Sequence, residues 1–148
     1  MTATAWDIQV LKRTCFGEAR DQGDDGMLAQ AWSMVNRHAI GRWYSGTTYA
    51  EMCLLAVIPA DPQFDCWLSH NAARKPIGDW LTTVNTADDD PVMLRCEAAV
   101  MAALNNTKPD PTNSATHYYD LSIPPPPYTF GATHTTTVGK LSFWKDVR

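Results

Sequence analysis

The chain has 148 residues, 45% of them apolar and 19% charged, which is the size of one ordinary domain with enough apolar material for a real core. Its net charge of −4 argues against a nucleic-acid-binding surface, and no stretch approaches the roughly 18 apolar residues of a membrane span. Residues Met1 to Asp7 lack a basic region followed by an apolar core, so no signal peptide is read and synthesis in the cytoplasm is expected.

The first helical pattern runs from about Asp7 to Arg20. At ~100° per residue, Ile8, Leu11, Cys15 and Glu18 share one face, while Arg13 and Arg20 fall opposite. Glu18 is thus a carboxylate on the inner side of a helix whose own arginines point away. Gly17 beside it costs the helix ~1 kcal/mol against alanine, which suggests a packing or access reason. The cations Lys12, Arg13, Arg20, Arg37 and Arg42 read as a solvated helix face.

A polar turn over Asp21 to Asp25 leads to a second helix starting near Gly26, with Asp24 or Asp25 as cap. Leu28, Ala31 and Val35 form its inner stripe, widened by Met27 and Met34, and it ends near His38 to Gly41. Thr48-Tyr49-Ala50-Glu51 fits a capping box, which gives Glu51 a structural task. That helix must stop before Pro59. Pro59 to Trp67 reads as a loop, and Ile77 to Val84 as a short helix. Asp90-Pro91 is a strong helix start, continued through Ala98, Ala99, Ala102 and Ala103 to Asn105. After Pro109 the pattern turns to β: Ala115 to Tyr119, a stiff Pro124 to Pro127 segment, and a hairpin of Thr133 to Val138 and Leu141 to Trp144 about Gly139-Lys140. The fold class is α+β, mainly α, as a single domain over residues 1–148 with a small C-terminal β and loop region.

Three segments carry candidate chemistry. A desolvated carboxylate such as Glu18 holds a proton near neutral pH, the requirement of a general acid for glycosidic cleavage. The loop Gln63-Phe64-Asp65-Cys66-Trp67 offers an amide and two aromatic rings suited to a groove wall, or else a loop pinned to the core by Phe64 and Trp67. In Ala115-Thr116-His117-Tyr118-Tyr119, strand alternation sends His117 and Tyr119 to one face and Thr116 and Tyr118 to the other. Gln63, Phe64, Trp67, His117, Tyr118 and Tyr119 are the candidate substrate-binding residues.

With Val35-Asn36-Arg37 and Val138 to Lys145, these segments resemble, in order along the chain, the cell wall hydrolase family that includes the spore-cortex-lytic enzymes. The family pattern is a Gly-Glu-Ala-Arg helix end, a helix with Val-Asn-Arg, a Gln-Phe-x-Cys-Trp loop, an Ala-Thr-His-Tyr-Tyr segment and a short hairpin. The resemblance implies a lysozyme-like fold, peptidoglycan glycan strands as substrate, Glu18 as catalytic acid, and a lytic transglycosylase or muramidase activity. No cofactor and no metal are expected, and a monomer is expected. The family's hairpin usually has a histidine before its aromatic residue; this chain has Leu141, so no such role passes to it.

No second catalytic acid stands out among Glu51, Asp61, Asp65 and Asp120, since Glu51 reads as a cap and the others sit in turns. A rival reading makes Cys66, His117 and Asp120 the nucleophile, base and orienting acid of a peptidoglycan endopeptidase or amidase. A metal hydrolase is disfavoured because His38, His70, His117 and His134 are far apart, with no His-x-x-x-His pair. A non-catalytic wall-binding module would not need an acid on an apolar face. Cys15 and Cys96 read as small core residues, without a disulfide framework or a zinc-finger spacing. The expected setting is a phage-type endolysin or a wall-degrading part of a phage-like particle, acting on the bacterial cell wall.

Overall fold

The computed structural model describes residues 2–54, 56–58, 61–62, 64–67 and 88–148. The helix read at 77–84 and Gln63 lie outside the described residues. Helices form the bulk of the fold and a small sheet closes its C-terminal end, an α+β arrangement that is mainly α.

Helix α1 spans Ala5–Ala19 and starts two residues before the sequence pattern suggests. Thr4 caps it: its hydroxyl accepts from the Asp7 N–H at 3.1 Å while the Asp7 carboxylate accepts the Thr4 N–H at 2.9 Å. The other Asp7 oxygen accepts the Ala50 N–H at 2.9 Å, so the carboxylate that closes the cap also fastens a later helix to α1. Val10, Leu11, Cys15, Phe16 and Ala19 are buried, and so are Lys12 and Arg13. The reading of a solvated cationic face therefore fails for these two. Lys12 Nζ lies 2.9 Å from Glu97 and 3.2 Å from Asp88, and Arg13 donates to Asp88 at 2.7 Å. A helix covered on nearly every side must bring partners for its buried cations, and the acids before and within a later helix supply them.

Helix α2 spans Gly23–Ala39, three residues longer at its start than expected. Its N-cap is Gln22, with no side-chain cap bond; Asp24 and Asp25 lie in the first turn, where they favour the helix dipole instead. The buried stripe is Met27, Gln30, Ala31, Ser33, Met34 and Arg37, with Leu28 and Val35 only half-buried. The stripe is thus rotated from the one anticipated. Helix α3, Tyr49–Leu54, opens on Thr48, whose hydroxyl accepts the Glu51 N–H at 3.0 Å. Glu51 returns the bond one residue further back, to the Thr47 N–H at 2.7 Å.

A short strand, β1 (Ala56–Ile58), follows α3 where the sequence pattern allows the helix to run on to Pro59. The stretch read as a loop, Pro59 to Trp67, contains a short strand, β2 (Asp61–Pro62), which pairs antiparallel with β1, and a single 3-10 turn, Asp65–Trp67. Helix α4, Pro91–Leu104, begins as read: the Asp90 carboxylate accepts the N–H groups of Val92 and Met93 at 2.9 and 3.2 Å. Its buried Ala99, Ala102 and Ala103 let it lie close against α1 and α2.

Strands β3 (His117–Asp120), β5 (Leu141–Lys145) and β4 (Thr133–Val138) form an antiparallel sheet in the order β3-β5-β4. The β4–β5 hairpin turns on Gly139-Lys140, with Gly139 at φ 57° as the first turn residue demands. Lys140 N–H reaches the Gln22 side-chain oxygen at 3.4 Å, which sets the hairpin tip against the α1–α2 connection. Leu141 and Phe143 pack the sheet on α2 through Ala29, so Leu141 serves the packing of the sheet.

Candidate active site

Glu18 sits in the last turn of α1, half-buried, three residues after the fully buried Cys15. Arg20 does leave that face: its guanidinium lies over the Phe16 ring at 5.6 Å and reaches the Phe16 and Gly17 carbonyls at 3.4 and 3.3 Å. Four groups feel the Glu18 charge, Cys15 on α1 itself and three on other parts of the chain. Burial pushes the Tyr118 phenol well up, and Glu18 adds to it. Burial pushes the Cys53 thiol up to about 12, again with a contribution from Glu18. Cys15 is raised by its hydrogen bond with Cys96, by burial and, further down, by Glu18. Burial lowers Arg37, while Tyr118, Cys53, Tyr128 and Glu18 hold its charge in place.

Arg37 is the residue the sequence misassigns. It is 5% exposed, its plane covers the Phe64 ring at 4.6 Å, and its Nε donates to the Thr116 carbonyl at 2.7 Å. Its neighbour Asn36 donates to Asp110 at 2.9 Å and to the Ala115 carbonyl at 3.0 Å. Asn36 and Arg37 together pin the lead-in to β3, which is how that strand comes to lie beside Glu18. The signal was present in the spacing. Gln30, Met34 and Arg37 recur on one helical face, and a cation on such a stripe is a buried one.

The Gln-Phe-x-Cys-Trp loop serves the core. Phe64 and Trp67 are each 3% exposed, and the Trp67 indole N–H donates to the Thr14 hydroxyl at 2.9 Å. Neither ring offers a face to a sugar; they fasten the loop to α1 and support Arg37. Cys66 is buried in the same cluster.

On β3 the two faces separate as the alternation requires. Tyr118 points to the helices, where its hydroxyl accepts from Gln30 Nε2 at 3.3 Å and its ring lies against Phe143. His117 and Tyr119 take the opposite face. His117 is held between Tyr44 and Tyr128, with ring centroids 4.7 and 5.0 Å away, and its Nδ1 lies 2.9 Å from the Thr116 hydroxyl. Burial, then the Arg37 charge, pushes it down to about 2, so it is neutral at any ordinary pH. Tyr119 lies near-parallel to Trp144, with centroids 6.4 Å apart. Among the described substrate-binding candidates, Tyr118 is placed within reach of the Glu18 charge. Tyr128, unremarked in the sequence, joins the site through its hydroxyl, which donates to the Tyr118 carbonyl at 2.7 Å.

The thiol-peptidase arrangement finds no support in this geometry. Asp120 accepts the Ser122 N–H at 2.8 Å in a local turn, and His117 is boxed in by aromatic rings. Among the described residues, no three His, Cys, Asp or Glu side chains converge on a metal position. No described helix is long and apolar enough to cross a membrane.

Comparison with known proteins agrees with this architecture. The catalytic domain of the Bacillus cereus SleB protein superposes with a TM-score of 0.65 at 21% identity, covering 97% of this chain and 92% of that one. The catalytic domain of the germination-specific lytic transglycosylase SleB from Bacillus anthracis gives 0.64 at 20% identity, covering 96% of each. At these identities the likeness establishes the fold. No curated protein sequence matches the chain. The family described as cell wall hydrolase matches residues 21–144, beginning just after the Gly17–Arg20 helix end. With most of its length matched, the chain belongs to the cell wall hydrolase family, and is a wall-cleaving enzyme by that membership.

Proposed function

We propose that the enzyme cleaves peptidoglycan glycan strands between N-acetylmuramic acid and N-acetylglucosamine, as a lytic transglycosylase with Glu18 as its one acid–base group. The observation that carries this is the half-buried Glu18 carboxylate, whose charge acts on Tyr118 and on the buried Arg37. Poor hydration favours the protonated acid. The Arg37 charge opposes that and favours the carboxylate left once the proton has gone.

In the proposed reaction, protonated Glu18 gives its proton to the glycosidic oxygen as the bond to the muramic acid anomeric carbon breaks. The resulting carboxylate then takes the proton of that sugar's 6-hydroxyl, whose oxygen attacks the same carbon. The products are a free N-acetylglucosamine end and a 1,6-anhydro-muramic acid end, and the enzyme returns to its starting protonation state. The placement of Glu51 and Asp120 supports a one-carboxylate route. Glu51 is held by the Thr47 N–H and Asp120 by the Ser122 N–H, so neither is poised to activate water.

Mass spectrometry of digested, purified peptidoglycan tests the reaction. Muropeptides lacking one water, with no reducing muramic acid end, are expected. A vigorous digest giving only reducing ends would replace the transglycosylase by a muramidase using the same glutamate.

A further inference from the structure

The loop from Leu121 to Ala132 is ordered yet ends in an aromatic residue that contacts almost nothing. Phe130 is 89% exposed. Four prolines, 124–127, stiffen its approach, and a short 3-10 turn, Pro127–Thr129, follows. Thr129 N–H and hydroxyl both reach the Pro126 carbonyl, at 3.0 and 2.7 Å, and Phe130 N–H reaches Pro127 at 3.1 Å. Tyr128 then ties the loop to β3 through the carbonyl of Tyr118, the residue whose phenol senses Glu18. An apolar ring held in water by a stiff scaffold loses little entropy on meeting a partner.

A second exposed ring lies along the same chain of contacts. Trp43 is 60% exposed; from it, Tyr44, His117 and Tyr128 follow with successive ring centroids 5.3, 4.7 and 5.0 Å apart. An unbroken aromatic run therefore links the Trp43 surface to the loop bearing Phe130, and it passes the Tyr128 hydroxyl whose field reaches Arg37. Large exposed aromatics in continuity with a catalytic site mark a binding surface.

Resting on the proposed glycan cleavage, we infer that Phe130 and Trp43 are stacking residues for saccharide rings of the glycan strand flanking the scissile bond. Sugars suit this surface because a pyranose presents an apolar face of C–H groups to a ring and a rim of hydroxyls to polar neighbours. The rings would hold the polymer without taking part in proton transfer.

The test measures co-sedimentation of the protein with purified peptidoglycan sacculi, using the Glu18→Gln chain so that the wall is not consumed. Phe130→Ala and Trp43→Ala should each weaken binding about three- to tenfold, the scale of one aromatic contact. Leu94→Ala on α4 and Ile123→Ala at the loop's start remove exposed aliphatic residues (51% and 50% exposed) and should leave binding unchanged. In the active chain, Phe130→Ala should raise KM on sacculi with kcat kept and thermal midpoint unmoved. Unchanged binding by both aromatic variants overturns the inference. So does an equal loss with Ile123→Ala, which would indicate general stickiness, or a dimer that Phe130→Ala converts to monomer without loss of wall binding. Binding is read without turnover, so a failure of the Glu18 mechanism would leave this result interpretable.

Discussion

His117 lets the electrostatics of the site be measured through stability alone. Its imidazole is enclosed by Tyr44 and Tyr128 and lies near the Arg37 charge, and its pKa is pushed down to about 2 from an ordinary 6.5. Below pH 6.5 the unfolded chain binds a proton at this residue that the folded chain refuses, so stability falls as pH falls, until the folded pKa is reached. Above 6.5 the contribution is fully present. Each pH unit in the window is worth ~1.4 kcal/mol, so acidifying from about pH 7.5 to about pH 5 should remove about 2 kcal/mol through His117. Asp7 and Asp120 lie below this window. Burial pushes the Asp7 carboxyl up, but hydrogen bonds from Thr4 and Ala50 outweigh it, and the Ser122 N–H lowers Asp120. The perturbation is His117→Phe, which keeps a ring between the tyrosines and cannot titrate. It loses the contact with the Thr116 hydroxyl, so its absolute stability will differ; the quantity to read is the change between the two pH values. Urea unfolding should show the wild type losing about 2 kcal/mol more than the variant across that range. Equal losses in the two proteins would mean that His117 titrates normally and that the aromatic enclosure is wrong.

Arg37→Lys keeps the charge but loses the planar contact with Phe64 and the Nε bond to Thr116; it should cost about 1–3 kcal/mol in urea unfolding and lower activity by loosening β3 beside Glu18. Asp90→Ala removes the cap from two N–H groups of α4 and should cost about 1 kcal/mol while leaving activity unchanged at saturating substrate. All four cysteines are buried and outside disulfides, so a thiol reagent should label the native protein slowly and all four after denaturation; thiol modification that stops lysis while the chain remains folded would revive the peptidase reading.

How much of this was legible in the sequence differs by element. The Asp90-Pro91 helix start, the Gly139-Lys140 hairpin and the strand alternation of His117 and Tyr118 were readable because each depends on local stereochemistry. The capping of α1 and α2 was harder. Gln22 stands at the start of α2 without a side-chain bond, so tertiary contacts, not a cap residue, set that end. The buried cations were missed for a related reason: Lys12 and Arg13 look solvated until Asp88 and Glu97, some 75 and more residues on, arrive beside them. In the candidate site, the helical angles singled out Glu18 for the proposal, whereas Arg37 needed the knowledge that its face of α2 is inside. Phe64 and Trp67 show the converse error. Aromatic residues beside an amide suggest a sugar groove, but their rings fasten the loop to α1, and among the described residues the exposed phenyl and indole rings are Trp6, Trp43 and Phe130.

The most direct measurement is lysis of purified peptidoglycan, by zymogram and by turbidity, comparing wild type with Glu18→Gln. The variant keeps the size of the side chain but can neither give up an acid proton nor carry the carboxylate charge. It should fold with a similar urea midpoint, still bind the wall, and lose about a hundredfold or more of its rate. A folded Glu18→Gln enzyme that clears peptidoglycan at the wild-type rate would contradict the account, because the proton would have to come from a group other than the one at the end of α1.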